Sequence, residues 1–295
     1  MASKSEKDAR DDDVGMQGDG VGEKIETPGI AIPLDLSPVQ LIKADTKDGK
    51  TAEASYRMPP GKGLFPAIVF IHGGMLFQAA DKREEDLVSK PIHTRFLSSG
   101  YVTVASTFRT FRENPSDPGR IHDSEAIIEH IKKLPQVDPD SVAVFGGSGG
   151  GDCALQLAGR IDLAAIVAGE PATILLARML PPPDQKNRGE VMKKVHKYYT
   201  KENERLVKET IAKIRCPVLI LHGDQHPLKY INFEIIVPEL KAAHKDFELK
   251  VYPGMRHGFY WGNKVGPEVV NDIFNTSAQF LAKHIRTKPT PIKFD

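Results

Sequence analysis

The sequence predicts an α/β domain, a mostly parallel sheet with helices on both faces, and three observations lead there. Short apolar runs of β type recur along the chain, and most are followed by a segment whose apolar residues fall at helical spacing. The runs at 67–71, 142–145 and 217–221 have no charged interruption, as strands buried on both faces require. Segments rich in glycine and histidine, and one bearing a serine, close four of these runs. In such sheets ligands gather at the strand ends.

Taken in order, residues 1–26 are rich in Lys, Asp and Gly and nearly lack large apolar side chains, which predicts a disordered tail. Residues 30–38 form a proline-punctuated, extended lead-in. The runs 39–44 and 51–58 read as two strands joined through the Asp48-Gly49 turn signal, giving an antiparallel N-terminal edge. The strand at 67–71 ends in His72-Gly73-Gly74. A helix is expected over 81–99, kinked or divided at Pro91. A strand at 101–106 leads into a long basic loop over 108–120. The helix at 121–134 places Ile127, Ile128 and Ile131 on one face.

The strand at 163–168 closes with Gly169-Glu170-Pro171, and then the alternation stops. Residues 172–215 hold a Pro181-Pro182-Pro183 break and amphipathic segments with Val207, Ile211 and Ile214 at helical spacing, the pattern of a short inserted helical cap. Strand 217–221 ends in His222-Gly223-Asp224; helix 230–244, strand 247–252 and helix 267–285 complete one domain over 27–295.

Composition bounds the function. With 295 residues, 40% of them hydrophobic, the chain can bury one large core. Forty basic against 39 acidic side chains, a net charge of +1, exclude a specialist in nucleic acids or membrane surfaces. Two cysteines, Cys153 and Cys216, do not make a disulfide framework and are expected as buried thiols. No run reaches transmembrane length and no signal-peptide core is present, so a soluble, cytoplasmic protein is expected; a homo-oligomer stays open. Between Lys186 and Arg215 stand ten basic and four acidic residues, either a solvated helix face or a field favouring anionic substrates.

The chemistry centres on Gly146-Gly147-Ser148-Gly149-Gly150, set between the run 142–145 and a helix carrying Ala154, Leu155, Leu157 and Ala158. Strand, sharp turn and helix are the context of a nucleophile elbow, in which flanking glycines avoid collisions and leave the serine hydroxyl exposed. The Gly149 amide, at the helix N-terminus, can donate to a developing oxyanion. A serine hydroxyl needs a base. His257 lies in the glycine-punctuated loop Tyr252-Pro253-Gly254-Met255-Arg256-His257-Gly258-Phe259 after the last strand, where an imidazole can reach over the sheet edge. His72 and His222 each precede a strand-end glycine and read as loop braces.

VAVFGGSGGG, FIHGG and YPGMRHGF together resemble the α/β-hydrolase superfamily, in its dienelactone hydrolase and prolyl-oligopeptidase-like branch, over about 39–285. The resemblance implies Ser148 as nucleophile, His257 as general base and Gly149 as one oxyanion donor, with Gly74 or Met75 as the second. It implies a cofactor-free serine hydrolase acting on small carboxylic esters through an acyl-enzyme. A peptidase of short peptides and a silent binding homologue are the rival readings. Full-length oligopeptidases carry an N-terminal β-propeller, and the residues before Val39 are too few for one. The family's acid stands three residues after the strand-end glycine, and here that place is His226. Asp224 keeps the order Ser148, Asp224, His257 and is the acid expected; Glu170, at the preceding strand end, is the alternative, and the lack of a working acid is the third. The His222, Asp224, His226 alternation reads as loop chemistry and not as a metal site.

Overall fold

The computed structural model describes residues 28–179 and 192–293. The expected tail and the triple-proline break lie outside the described residues. Eight strands form one sheet: β1 Gln40–Asp45, β2 Thr51–Arg57, β3 Phe65–Ile71, β4 Val102–Ser106, β5 Val137–Gly147, β6 Ile166–Gly169, β7 Val218–Gly223 and β8 Phe247–Tyr252, in the order β1-β2-β4-β3-β5-β6-β7-β8. The β1–β2 and β2–β4 pairings are antiparallel and the remainder parallel, which gives the expected antiparallel edge.

The continuous apolar runs have the consequence expected of them. Val142, Ala143, Val144 and Phe145 of β5 are fully buried, alternating between two cores, one on each face of the sheet. Burying a Val or Phe side chain is worth about 1.5–3 kcal/mol, so the centre of the sheet is its most stable part.

The helices follow local rules. α1 (Ala80–Ser89) and α2 (Pro91–Ser98) replace the single expected helix. Lys90, ahead of the proline, is forced into an extended conformation at ψ 128°, and Pro91 opens the next helix. α3 is Gly119–Lys132 and α4, after the elbow, is Gly149–Leu157. Beyond the short α5 (Val195–Tyr198), α6 (Lys201–Lys213) starts with a capping box in which Thr200 and Asn203 each satisfy the other's amide. Its Val207 and Ile211 are buried in the main core, so this part of 172–215 is a helix packed onto the domain. On its outer face Arg205 pairs with Glu202 and Glu209, and Lys208 with Glu204.

α7 (Leu228–Ile231) continues through a π-helical turn, Asn232–Ile236, into α8 (Val237–Ala242). Pro238 has no amide to donate to the preceding turn, and the wider turn absorbs that loss. α9 (Pro267–His284) closes the chain. Cys153 and Cys216 are buried free thiols, and burial pushes Cys153 up to about 11. Among the described residues no helix is long and apolar enough to cross a membrane.

The register positions the site. Ile71 pairs with Gly146, Gly147 with Gly169, Gly169 with Leu221, and Gly223 with Tyr252. The residues after each strand therefore emerge side by side along one edge.

Candidate active site

Ser148 stands at φ 52°, ψ −114°, between β5 and α4. A non-glycine residue there carries about 1–3 kcal/mol of backbone strain, tolerated only where the surroundings impose it. They do so here. The Ser148 amide donates to Gly169 O at 2.8 Å, and Ser148 O accepts from Asp152 N at 3.0 Å and Ala172 N at 2.8 Å. A side chain on Gly146 would overlap Gly150 O, and one on Gly150 would overlap Ile71 O. Gly73 lies over Ser148, where a Cβ would come within 3.1 Å of the serine Cβ; one on Gly149 would stand 2.6 Å from Gly74 O. The turn after β3 thus borders the elbow, Gly74 holds φ 78°, and Met75 O is fixed by the Phe111 amide at 3.0 Å. Gly149, Gly74 and Met75 are brought to the one corner where the sequence expects an oxyanion.

His72 and His222 brace their strand ends, as read from the sequence. His72 Nδ1 donates to Gly73 O at 2.6 Å, its Nε2 meets the Thr107 hydroxyl at 3.2 Å, and its ring stacks on Phe108. Burial holds its pKa near 4. His222 Nδ1 donates to Gly223 O at 2.5 Å, and its Nε2 faces Asn232 Nδ2 at 3.0 Å.

The carboxylate beside His257 is not the one first expected. His257 Nδ1 lies 2.8 Å from Glu170 Oε2, with the ring N–H out of line with the oxygen. Catalytic contacts are often loose before substrate binds. Glu170 is fully buried, at φ 39°, and also accepts from Gly223 N at 3.2 Å and Gly258 N at 3.1 Å. Burial pushes its carboxyl up, but the adjoining His257, with His222 and His226 beyond it, favours the charged form. The net direction is downward, so it is a fixed anion at neutral pH.

Asp224 is not brought to His257. Its carboxylate accepts from Gln225 Nε2 at 2.7 Å and Gly254 N at 2.8 Å, two bonds that lower its pKa and tie the loop after β7 to the start of the His257 loop. The correction has a geometric cause: Asp224 Oδ1 is committed to Gly254, three residues before the histidine, whereas Glu170 reaches the ring itself. The polar atoms of His222, Asp224 and His226 likewise take separate partners, so the alternation does not converge on one point.

A model of the prolyl oligopeptidase family matches residues 116–287, more than half of the chain. The chain belongs to the prolyl oligopeptidase family. A second family model, described as BD-FAE, matches residues 56–169. The eight-stranded, mostly parallel sheet with its elbow is the α/β-hydrolase fold. The monoglyceride lipase of Saccharomyces cerevisiae is 33% identical over 101 residues, 34% of this chain and 30% of the lipase. The 2,6-dihydropseudooxynicotine hydrolase of Paenarthrobacter nicotinovorans is 27% identical over 72% of this chain and 59% of that enzyme. The chain thus spans less than two thirds of the length of these curated relatives. A Pyrobaculum calidifontis esterase superposes with a TM-score of 0.61 at 18% identity, covering 84% of this chain and 86% of its own, a likeness of fold.

Three supporting side chains had no motif to announce them. Asn232 donates to Pro171 O at 2.9 Å, faces His222 and accepts from the Thr173 hydroxyl at 2.6 Å, joining the ends of β6 and β7. Tyr260 and Trp261 fill the space where Gly147 would otherwise carry a Cβ, and the Tyr260 ring also covers Gly169. The run Phe259-Tyr260-Trp261 directly after the histidine loop was the available signal for the aromatic pair. For Asn232 the sequence offered none.

Proposed function

We propose that the chain hydrolyses small carboxylic esters through an acyl-enzyme, with Ser148, His257 and Glu170 as its triad. The observation that carries this reading is the strained serine elbow knitted by backbone bonds to the strand whose next residue, Glu170, meets His257. His257 takes the Ser148 hydroxyl proton as Oγ bonds to the ester carbonyl carbon, and the carbonyl π pair moves onto its oxygen. The Gly149 amide, with Gly74 or Met75, donates to that oxyanion. Collapse breaks the bond to the alkoxy oxygen, which leaves as the alcohol with the proton from His257. Water then repeats the sequence on the acyl-enzyme and frees Ser148. Glu170 holds the imidazole and stabilises its charged form. Ester cleavage is supported by the names of the lipase and the esterase above, and peptide hydrolysis by the name of the family.

The test is turnover of p-nitrophenyl butyrate and of a peptidyl p-nitroanilide by wild type and Ser148→Ala, with fluorophosphonate labelling of both proteins. Ester turnover should fall by about 10⁴-fold or more in the variant, with its labelling lost. Labelling that survives in Ser148→Ala would remove the serine mechanism, and faster amide than ester turnover would move the substrate class to peptides.

A further inference from the structure

The place that the family pattern gives to an acid is occupied by His226, and the triad just proposed leaves it without a task. We infer that His226 is a positioning residue for His257: its ring holds the face of the His257 imidazole while Glu170 holds the edge. This rests on the reading of His257 as the base.

The two rings stack, with centroids 4.2 Å apart and planes 24° from parallel. His226 is itself anchored. Its Nδ1 accepts from Leu228 N at 3.2 Å and its carbonyl from Lys229 N at 3.1 Å, so the ring is fixed to the start of α7. With Nδ1 an acceptor, the neutral ring carries its proton on Nε2. Burial pushes its pKa down to about 4, so the ring is uncharged at the pH where a serine base works. A neutral π face beside a ring that becomes an imidazolium during the reaction is an attractive neighbour.

His257 has need of such a neighbour. Its loop turns through two left-handed glycines, Gly254 at φ 75° and Gly258 at φ 90°, and its ring is 18% exposed. The Glu170 contact at its edge is short but out of line, and Tyr260 meets the ring only edge-on, at 5.9 Å and 80°. One out-of-line contact does not fix the plane of an imidazole; a contact on its face does. An aspartate in place of His226 would bring a second carboxylate toward Glu170, and like charges at one site disfavour each other's ionised form.

The experiment compares full-length wild type, His226→Ala and His226→Phe, with Ser148→Ala as the inactive blank. It reads kcat and KM on p-nitrophenyl butyrate, Tm, and the ¹³Cε1 signal of His257 in histidine-labelled protein, assigned with His257→Gln. The alanine variant should lose about 10–100-fold in kcat with KM held within about twofold, the scale of a misplaced catalytic group, and its His257 signal should broaden. The phenylalanine variant, which keeps a flat face and loses both nitrogens, should stay within about threefold of wild type with a sharp signal. If His226→Ala does not fold, His226→Gln is read in its place, since it keeps an acceptor for Leu228 N and removes the ring. An alanine variant matching wild type in kcat and line width overturns the inference, as does a phenylalanine variant as impaired as alanine at an unchanged Tm. Wild type without ester turnover overturns the ester reading alone, and the His257 line widths then decide the role of His226.

Discussion

Two strand ends lie side by side in the sheet, and each carries a glycine followed by an acid. β6 ends in Gly169-Glu170 and β7 in Gly223-Asp224. Glu170 is fully buried, with its oxygens on His257 Nδ1 and on the amides of Gly223 and Gly258. Asp224 spends its carboxylate on Gln225 beside it and on Gly254 at the start of the His257 loop. One end supplies a buried anion to the histidine, the other the frame around it. Chain order alone therefore does not say which carboxylate meets the histidine; burial and the direction of the side chain do. Asp224 satisfies the order Ser148, acid, His257 and misses the ring. Glu170, turned by its left-handed backbone, reaches it.

The contrast can be stressed first with acid. The β7 end is lined by histidines kept neutral by burial: His226 at about 4 and His222 shifted downward, with His72 at about 4 after β3 and His93 at about 3 on α2. A histidine whose folded pKa is depressed gives stability that is complete above its unfolded value near 6.5. That stability is lost as pH falls from there toward the folded value, at up to about 1.4 kcal/mol per pH unit for each ring. Glu170 acts lower. Its depressed folded value gives stability present above the ordinary carboxylate range and lost as pH falls through that folded value. Urea melts at pH 7.5, 6.5, 5.5 and 5.0 should show several kcal/mol lost below pH 6.5, and His226→Phe should lessen the slope. A flat profile down to pH 5 would mean that these rings are hydrated and the frame at β7 is not the buried one described.

A smaller effect sharpens the link between the two ends. Asn232→Ala removes the donor to Pro171 O and the partners of His222 and Thr173, leaving buried polar groups unsatisfied. The expected cost is about 2–4 kcal/mol in a denaturant melt. A loss below about 0.5 kcal/mol, the range of an ordinary surface change, would show that the β6 and β7 ends are held independently.

How much of this was legible follows from what each residue needs. Ser148 could be placed because glycine on both sides of it is a steric requirement visible in one dimension, and the collisions at Gly146 and Gly150 bear it out. The split at Pro91 was legible because a proline constrains the residue before it wherever it stands. The carboxylate beside His257 was legible only as one of two candidates, with the lack of a working acid as a third reading. Gly169-Glu170-Pro171 and Gly223-Asp224 look equivalent in sequence, and the φ of 39° that turns Glu170 inward has no signature there. Val207 and Ile211 were read at the right spacing, but spacing does not say which surface a helix covers, and they face the main core. The stack of His226 on His257 joins residues far apart in the chain, and no local pattern reports it.

The claim that the β6 end supplies the acid is tested most directly by kcat for Glu170→Gln and Asp224→Asn in one p-nitrophenyl butyrate assay at pH 8. Loss of the carboxylate that orients the base should lower kcat by about 10³–10⁴-fold in Glu170→Gln, whereas Asp224→Asn should stay within about twofold of wild type. A Glu170→Gln enzyme of normal kcat beside an Asp224→Asn enzyme slowed by orders of magnitude would contradict the account.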